Sequence, residues 1–249
     1  IWPAVILMLI FFISPIILTF VYSFTNLALT GSAAKDVQFI GLGNYIQMFK
    51  NTDVWLSIRA TLIFLVGSVV GQQILGFFIA FLMRGLHTGF RRVIGPCVLA
   101  GWVMPELVAA MSLYAFFSDN GTLNAILETL FGLDTIPWLY DHAMLCVVVA
   151  NIWHGTAFSM LMYQAALDNV PHDMEEAAII DGATRVQILR YITIPYIKDT
   201  ISTSLMLNTL STLGVYTLIY TMTGGGPNMD TMTLPLYMYR QAFAGYQLG

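Results

Sequence analysis

Apolar runs of roughly twenty residues alternate with short polar connections along most of the chain, at about 2–24, 60–83, 93–117, 143–166, 200–222 and 231–249. A hydrocarbon core of roughly 30 Å asks for about 20 predominantly apolar residues per helix, so the pattern predicts an all-α, polytopic membrane protein with about six transmembrane helices. The last run is the shortest in apolar content and holds Arg240. The chain opens on Ile1 and closes on Gly249 inside an apolar pattern, so both ends are expected to continue. No internal period and no low-complexity tract interrupts residues 1–249, which read as a single transmembrane domain.

Composition sharpens this. The chain is 57% hydrophobic and 10% charged, with mean hydropathy +0.74, whereas a soluble domain is about a quarter charged. A net charge of -4 and the lack of a basic stripe with interleaved aromatics exclude nucleic acid as a partner. Cys97 and Cys146 fall within apolar runs, without CxxC spacing or an accompanying histidine or acidic cluster, and read as packing residues; no metal site is expected.

Charge also sets orientation. The 84–92 connection carries Arg84, Arg91 and Arg92, and the 167–199 segment carries Arg185, Arg190 and Lys198, whereas 118–142 and 223–230 hold no lysine or arginine. Basic residues near span ends stay cytoplasmic, which places both arginine-bearing connections inside. Lys35, Lys50 and Arg59 on the outer 25–59 connection run against this reading, dispersed over a longer stretch.

The 169–195 segment is the polar interlude of the chain. Pro171 suits a first helical position, and Asp173, Glu175 and Glu176 fall where a helix dipole favours anions. Asp181 and Gly182 end that helix, and Thr184 with Gln187 three residues on forms a capping-box pattern that starts a second. On local chemistry alone, the element reads equally as an ordinary amphipathic loop. However, Glu176-Ala177-Ala178, three residues, Gly182, nine residues and then Ile192-x-Ile194-Pro195 resembles the EAA signature of permease subunits of binding-protein-dependent ABC importers, with Ile194 at the usual leucine position. FIGLGNYIQMF (39–49) and TMTGGGPNMDTMTLPLYMYRQAF (221–243) resemble the carbohydrate branch of that family, which includes the maltose and glycerol-phosphate importers.

The resemblance implies a multi-pass permease of the cytoplasmic membrane that passes a sugar or sugar-like solute by alternating access. An extracytoplasmic solute-binding protein would deliver the solute, a second permease subunit would complete a heterodimer, and two ATPase subunits would drive it. It also implies a coupling helix in the 169–195 loop, carried by Asp173, Glu175, Glu176, Ala177, Ala178, Asp181, Gly182 and Arg185. No P-loop ending GK[ST] exists in the chain, so ATP and Mg²⁺ are expected on the ATPase partners and no cofactor on this one. No GxSxG or HExxH constellation points to an enzyme.

Polar groups inside hydrocarbon usually face a bundle interior or a wet cavity. Glu106 in the third run needs a partner or a ligand; Trp102, four residues earlier, is expected on the same helical face, and Pro105 is expected to bend the span. An indole and a carboxyl side by side suit a sugar. The fourth run offers Asn151, His154, Gly155 and Phe158, and the fifth Asn208, Ser211, Thr212 and Tyr216, again at three- and four-residue steps. Each of these polar groups reads alternatively as an interhelical hydrogen bond. Gln72 and Gln73 stay open between the two roles, and Gly67, Gly71 and Gly76 beside them predict close helix packing. A secondary transporter or channel not driven by ATP is the alternative function; it lacks support from inverted repeats or an intramembrane proton relay.

Overall fold

The computed structural model describes residues 2–86 and 88–247. The predicted end of the last apolar run, residues 248–249, lies outside them. The described chain is helical apart from turns and isolated bridges.

The first apolar run is one helix, α1 (Trp2–Tyr22), none of whose membrane window is buried against the rest of the chain. It widens to a π turn at Leu9–Ile13, one residue before the Ser14-Pro15 step. Proline has no N–H and clashes with the carbonyl four residues back, and an i→i+5 turn relieves both. The 39–49 block then folds back on α1. Asn44 donates to the carbonyls of Ser23 and Thr25 at 3.0 and 2.8 Å, and the hydroxyls of Tyr45 and Ser23 lie 2.7 Å apart. This block carries α2 (Gly43–Lys50).

α3 (Thr52–Gly85) is a continuous helix of 34 residues, longer at its start than the predicted span, so that Arg59 sits within it rather than in a connection. Asn51 caps it by accepting from the Asp53 amide at 2.9 Å. The third run is not one span but two pieces, α4 (Thr88–Val103) and α5 (Glu106–Phe117). At the break between them Arg91–Val103 and Glu106–Phe131 are bent by 103°. Pro105 therefore does more than bend the span as expected. α6 (Thr122–Phe131) follows, held by the buried Asn124 side chain, which donates to the Ile136 carbonyl at 2.9 Å and accepts from Trp138 Nε1 at 3.0 Å.

The fourth run is α7 (Ala143–Asp168), unbroken. The polar loop contains α8 (His172–Ile180) and α9 (Arg185–Ile188), after which a second π turn, Leu189–Thr193, again stands just before a proline, Pro195. The fifth run is also interrupted. α10 (Lys198–Leu213) ends at Gly214, and α11 (Thr217–Thr223) begins three residues later. The sixth run is helical only over α12 (Leu234–Tyr239) and its π continuation Arg240–Ala244. The glycine block between α11 and α12 is a tight hairpin, with Gly224 at φ +60° and Gly225 at φ +90°. It is closed by the Thr223 and Thr231 hydroxyls 2.7 Å apart and docked on α3 through the Leu234 amide, which donates to Thr61 Oγ1 at 2.8 Å.

In lipid, helices gain little from apolar burial against one another and associate through close van der Waals contact, which small residues permit. The α3–α7 seam is built this way. A Cβ on Gly71 would stand 2.2 Å from Ile152 Cδ1; one on Gly76 would stand 2.4 Å from Ser159 Cβ and 2.9 Å from the Met160 backbone nitrogen. Two apolar clusters lie along this frame. One gathers Phe64, Val147, Ala150, Leu218, Ile219 and Leu236; the other Ala80, Met83, Met160, Tyr163, Leu167 and Ile197. Their order along α3 and α7 leaves the middle of both helices between the clusters.

The seam makes a prediction. Gly76→Ala forces a methyl against backbone and is expected to cost about 1–3 kcal/mol, read as a lower melting temperature in detergent. Gly67→Ala meets only the Val148 side chain, at 3.1 Å, and should cost less; equal melting of both variants and the parent would disprove the seam.

Candidate functional site

Between the two apolar clusters lies a cavity of about 250 Å³. Eight of the nine side chains expected on the solute path line it: Trp102, Glu106, Asn151, His154, Phe158, Asn208, Ser211 and Thr212. Gln72, Gly155 and Val215 complete the lining. Tyr216 does not reach it. Four-residue stepping placed Tyr216 below Thr212 on a continuing helix, but α10 stops at Leu213; Tyr216 instead precedes α11 and stacks on Tyr239 at 5.2 Å between centroids. Val215 takes the vacated position. Trp102 and Glu106 share the cavity for a different reason from the one expected. No single helix carries them, because the chain breaks between them, and the turn at Met104 and Pro105 brings both to the same space.

The helix breaks explain the polar groups beside them. An interrupted helix leaves carbonyls and amides without intrahelical partners, and in hydrocarbon these are costly. His154 Nε2 lies 3.3 Å from the Met104 carbonyl, at the end of α4. Glu106 accepts from the Leu218 amide at 3.2 Å, in the first turn of α11, where the helix dipole favours a carboxylate. Glu106 thus has a protein partner across the bundle. The remaining polar groups divide between bracing and availability. Asn208 Nδ2 donates to Ser159 Oγ at 2.6 Å, and Gln72 Nε2 to the Asn151 carbonyl at 2.9 Å. Asn151 Nδ2 has no hydrogen-bond partner among the described residues, although the residue is only 4% exposed. Trp102 and Phe158 stand 6.1 Å apart as a tilted aromatic pair. Below the cavity Tyr163 donates to Gln73, whose amide donates to Ser204 Oγ at 3.2 Å.

The polar loop forms a helix, a turn and a second helix. Pro171 is the cap rather than the first helical residue, with extended backbone, and Asp173 and Glu175 fall in the first turn. The turn after α8 is a Schellman closure: the Ala183 amide donates to the Ala178 carbonyl at 2.9 Å, the Gly182 amide to Ile179 at 3.0 Å, and Gly182 takes φ +84°. Thr184 and Gln187 make the reciprocal capping box. Asp173, Glu176, Ala177, Asp181, Gly182 and Arg185 are exposed, Ala178 is half-buried, and Ile180 is 85% exposed. Glu175 differs from the rest. It turns toward its own chain and pairs with Arg84, a residue whose sequence context spoke only of orientation. The two are 91 positions apart, and nothing local to either marks the pairing.

Residues 72–246 match the family described as binding-protein-dependent transport system inner membrane component. The chain is 32% identical to the trehalose/maltose transport system permease protein MalF of Thermococcus litoralis, over 99% of this chain and 82% of that protein. It is 30% identical to the lactose transport system permease protein LacF of Rhizobium radiobacter, over 97% and 81%. In fold it is similar to a chain in the crystal structure of a bacterial alginate ABC transporter in complex with alginate pentasaccharide-bound periplasmic protein, with TM-score 0.83, 24% identity and 99% and 83% of the two chains covered. A membrane-spanning helical bundle with an EAA loop that matches this family over most of its length is a permease component of a binding-protein-dependent ABC transport system, and the chain belongs to that family.

Proposed function

We propose that this permease passes a neutral sugar or oligosaccharide inward across the cytoplasmic membrane, by alternating access, in a heterodimer with a second permease. An external solute-binding protein delivers the sugar. Two ATPase subunits, which bind ATP and Mg²⁺, dock on the 169–195 loop at the cytoplasmic face, and the arginines of the 84–92 and 167–199 connections support that orientation. The observation that carries the cargo class is the chemistry of the cavity. An indole and a phenyl ring share it with amide, hydroxyl, imidazole and carboxylate groups, and no lysine or arginine lines it. Aromatic faces stack on the C–H faces of a sugar, and the Asn151 amide, whose Nδ2 is buried without a protein partner among the described residues, belongs to the same lining. A phosphate-bearing cargo would call for cations that these walls lack. The sugar-transporting relatives support the same class. Trp102, Asn151 and Phe158 act as the cargo contacts, and Glu106 and His154 hold the broken helices that shape the space.

The loop's exposed face, Glu176, Ile180 and the Gly182 turn, is the ATPase contact. Reconstitution tests the whole reading, because uptake must require both the binding protein and internal ATP; uptake on an ion gradient alone would favour a secondary transporter.

Two variants address the parts. Trp102→Ala is expected to weaken apparent sugar affinity in uptake assays by about 2- to 10-fold, the worth of one aromatic contact, while the ATPase subunits still co-purify; unchanged affinity there and in Asn151→Ala would refute the cavity assignment. Gly182→Leu places a branched side chain at positive φ, a strain of about 1–3 kcal/mol, and is expected to release the ATPases or uncouple hydrolysis from uptake. Coupled uptake at the parent level in both Gly182→Leu and Glu176→Arg would defeat the docking assignment.

A further inference from the structure

The polar loop has two covalent attachments, to α7 before it and to α10 after it. The structure adds a third, non-covalent one. Arg84 Nη1 in the last turn of α3 lies 2.8 Å from Glu175 Oε1 on α8, and the two side chains are 18% and 19% exposed. The same carboxylate oxygen accepts from Thr193 Oγ1 at 3.2 Å, and Thr193 is buried at the π turn that leads into α10. One acidic side chain therefore ties α8, the end of α3 and the approach to α10 at a single point. The other ion pair among the described residues, Arg91 with Asp168, is longer at 3.4 Å and more exposed, and it does not involve α8. A pair shielded from solvent is screened little by salt, and losing one partner strands the other charge.

What stands further back along α3 gives the tie its meaning. The helix is unbroken from Arg84 back to Gln72, twelve residues, or about 18 Å at 1.5 Å per residue. Gln72 lines the cavity and holds the Asn151 carbonyl, and Gln73 meets Tyr163 and Ser204. We propose that the Arg84–Glu175 pair is the joint through which displacement of the polar loop is delivered to α3, and thereby to the cavity wall. Glu175 is then a positioning residue that acts within this chain, while the neighbouring Glu176 faces outward. Two adjacent acids of one turn carry different tasks: one receives the ATPase, the other passes its movement on. The inference rests on the reading of the loop as the ATPase docking element.

The test uses the complete transporter in proteoliposomes with its binding protein, and reads sugar moved per ATP hydrolysed. Arg84→Gln and Glu175→Gln are each expected to lower that ratio at least about fivefold, the low end of typical coupling between sites, while the ATPases co-purify. The double variant should fall no further than either single one, as for groups that act as a unit. A smaller loss in the single variants, or a double variant whose loss is the product of the two, overturns the proposal. Should Arg84→Gln not accumulate, Glu175→Gln, which keeps an acceptor for Thr193, is scored alone against the same threshold. Gly182→Leu in the same preparation separates the two ideas. If it uncouples while the Arg84 and Glu175 variants do not, the joint falls and the docking stands; if none of them uncouples, the docking reading itself fails.

Discussion

Every peptide group within hydrocarbon must find a partner, and this bundle breaks two of its spans where none is available from the helix itself. At Met104 and Pro105 a carbonyl is left over, and at the start of α11 an amide is. His154 answers the first and Glu106 the second. Each side chain comes from a different segment than the group it satisfies: the bend in the third run is met from α7, and the interruption in the fifth is met from the start of α5. The polar interior of the cavity follows from that requirement, since a continuous helix in either place would need neither the histidine nor the carboxylate.

The rest of the interior serves to keep this gap in place. Apolar clusters stand on either side of it along α3 and α7, and the polar contacts Asn208 to Ser159 and Gln73 to Ser204 join α10 to that pair. The hairpins on the opposite ends are fastened by buried polar side chains, Asn124 and Thr231, each of which bonds backbone carbonyls that a loop would otherwise leave unpaired. Such residues read as unremarkable polar positions in the sequence.

How much of this the sequence discloses depends on the range of the interaction. Hydrophobic runs mark the spans because membrane thickness acts on each segment alone. Gly67, Gly71 and Gly76 mark a close seam, and Thr184 with Gln187 a helix start, because both are local patterns. Pro105 signals a disturbance, but the full 103° break frees the Met104 carbonyl, whose partner, His154, lies fifty positions away. The end of α10 at Gly214 has no proline to announce it, which is why a four-residue pattern carried Tyr216 into the cavity on paper. The pairing of Arg84 with Glu175 spans 91 positions and has no local trace at all.

The glycine seam between α3 and α7 has a further mechanical meaning. With Cβ positions at Gly71 and Gly76 already occupied by Ile152 and Ser159, the two longest described helices of the bundle interlock and cannot slide by a fraction of a turn. They form a stiff spine. The cavity lining from Gln72, Asn151 and Phe158 then moves only as one block with that spine, whereas Trp102, Glu106 and Thr212 hang on segments that already contain their hinges.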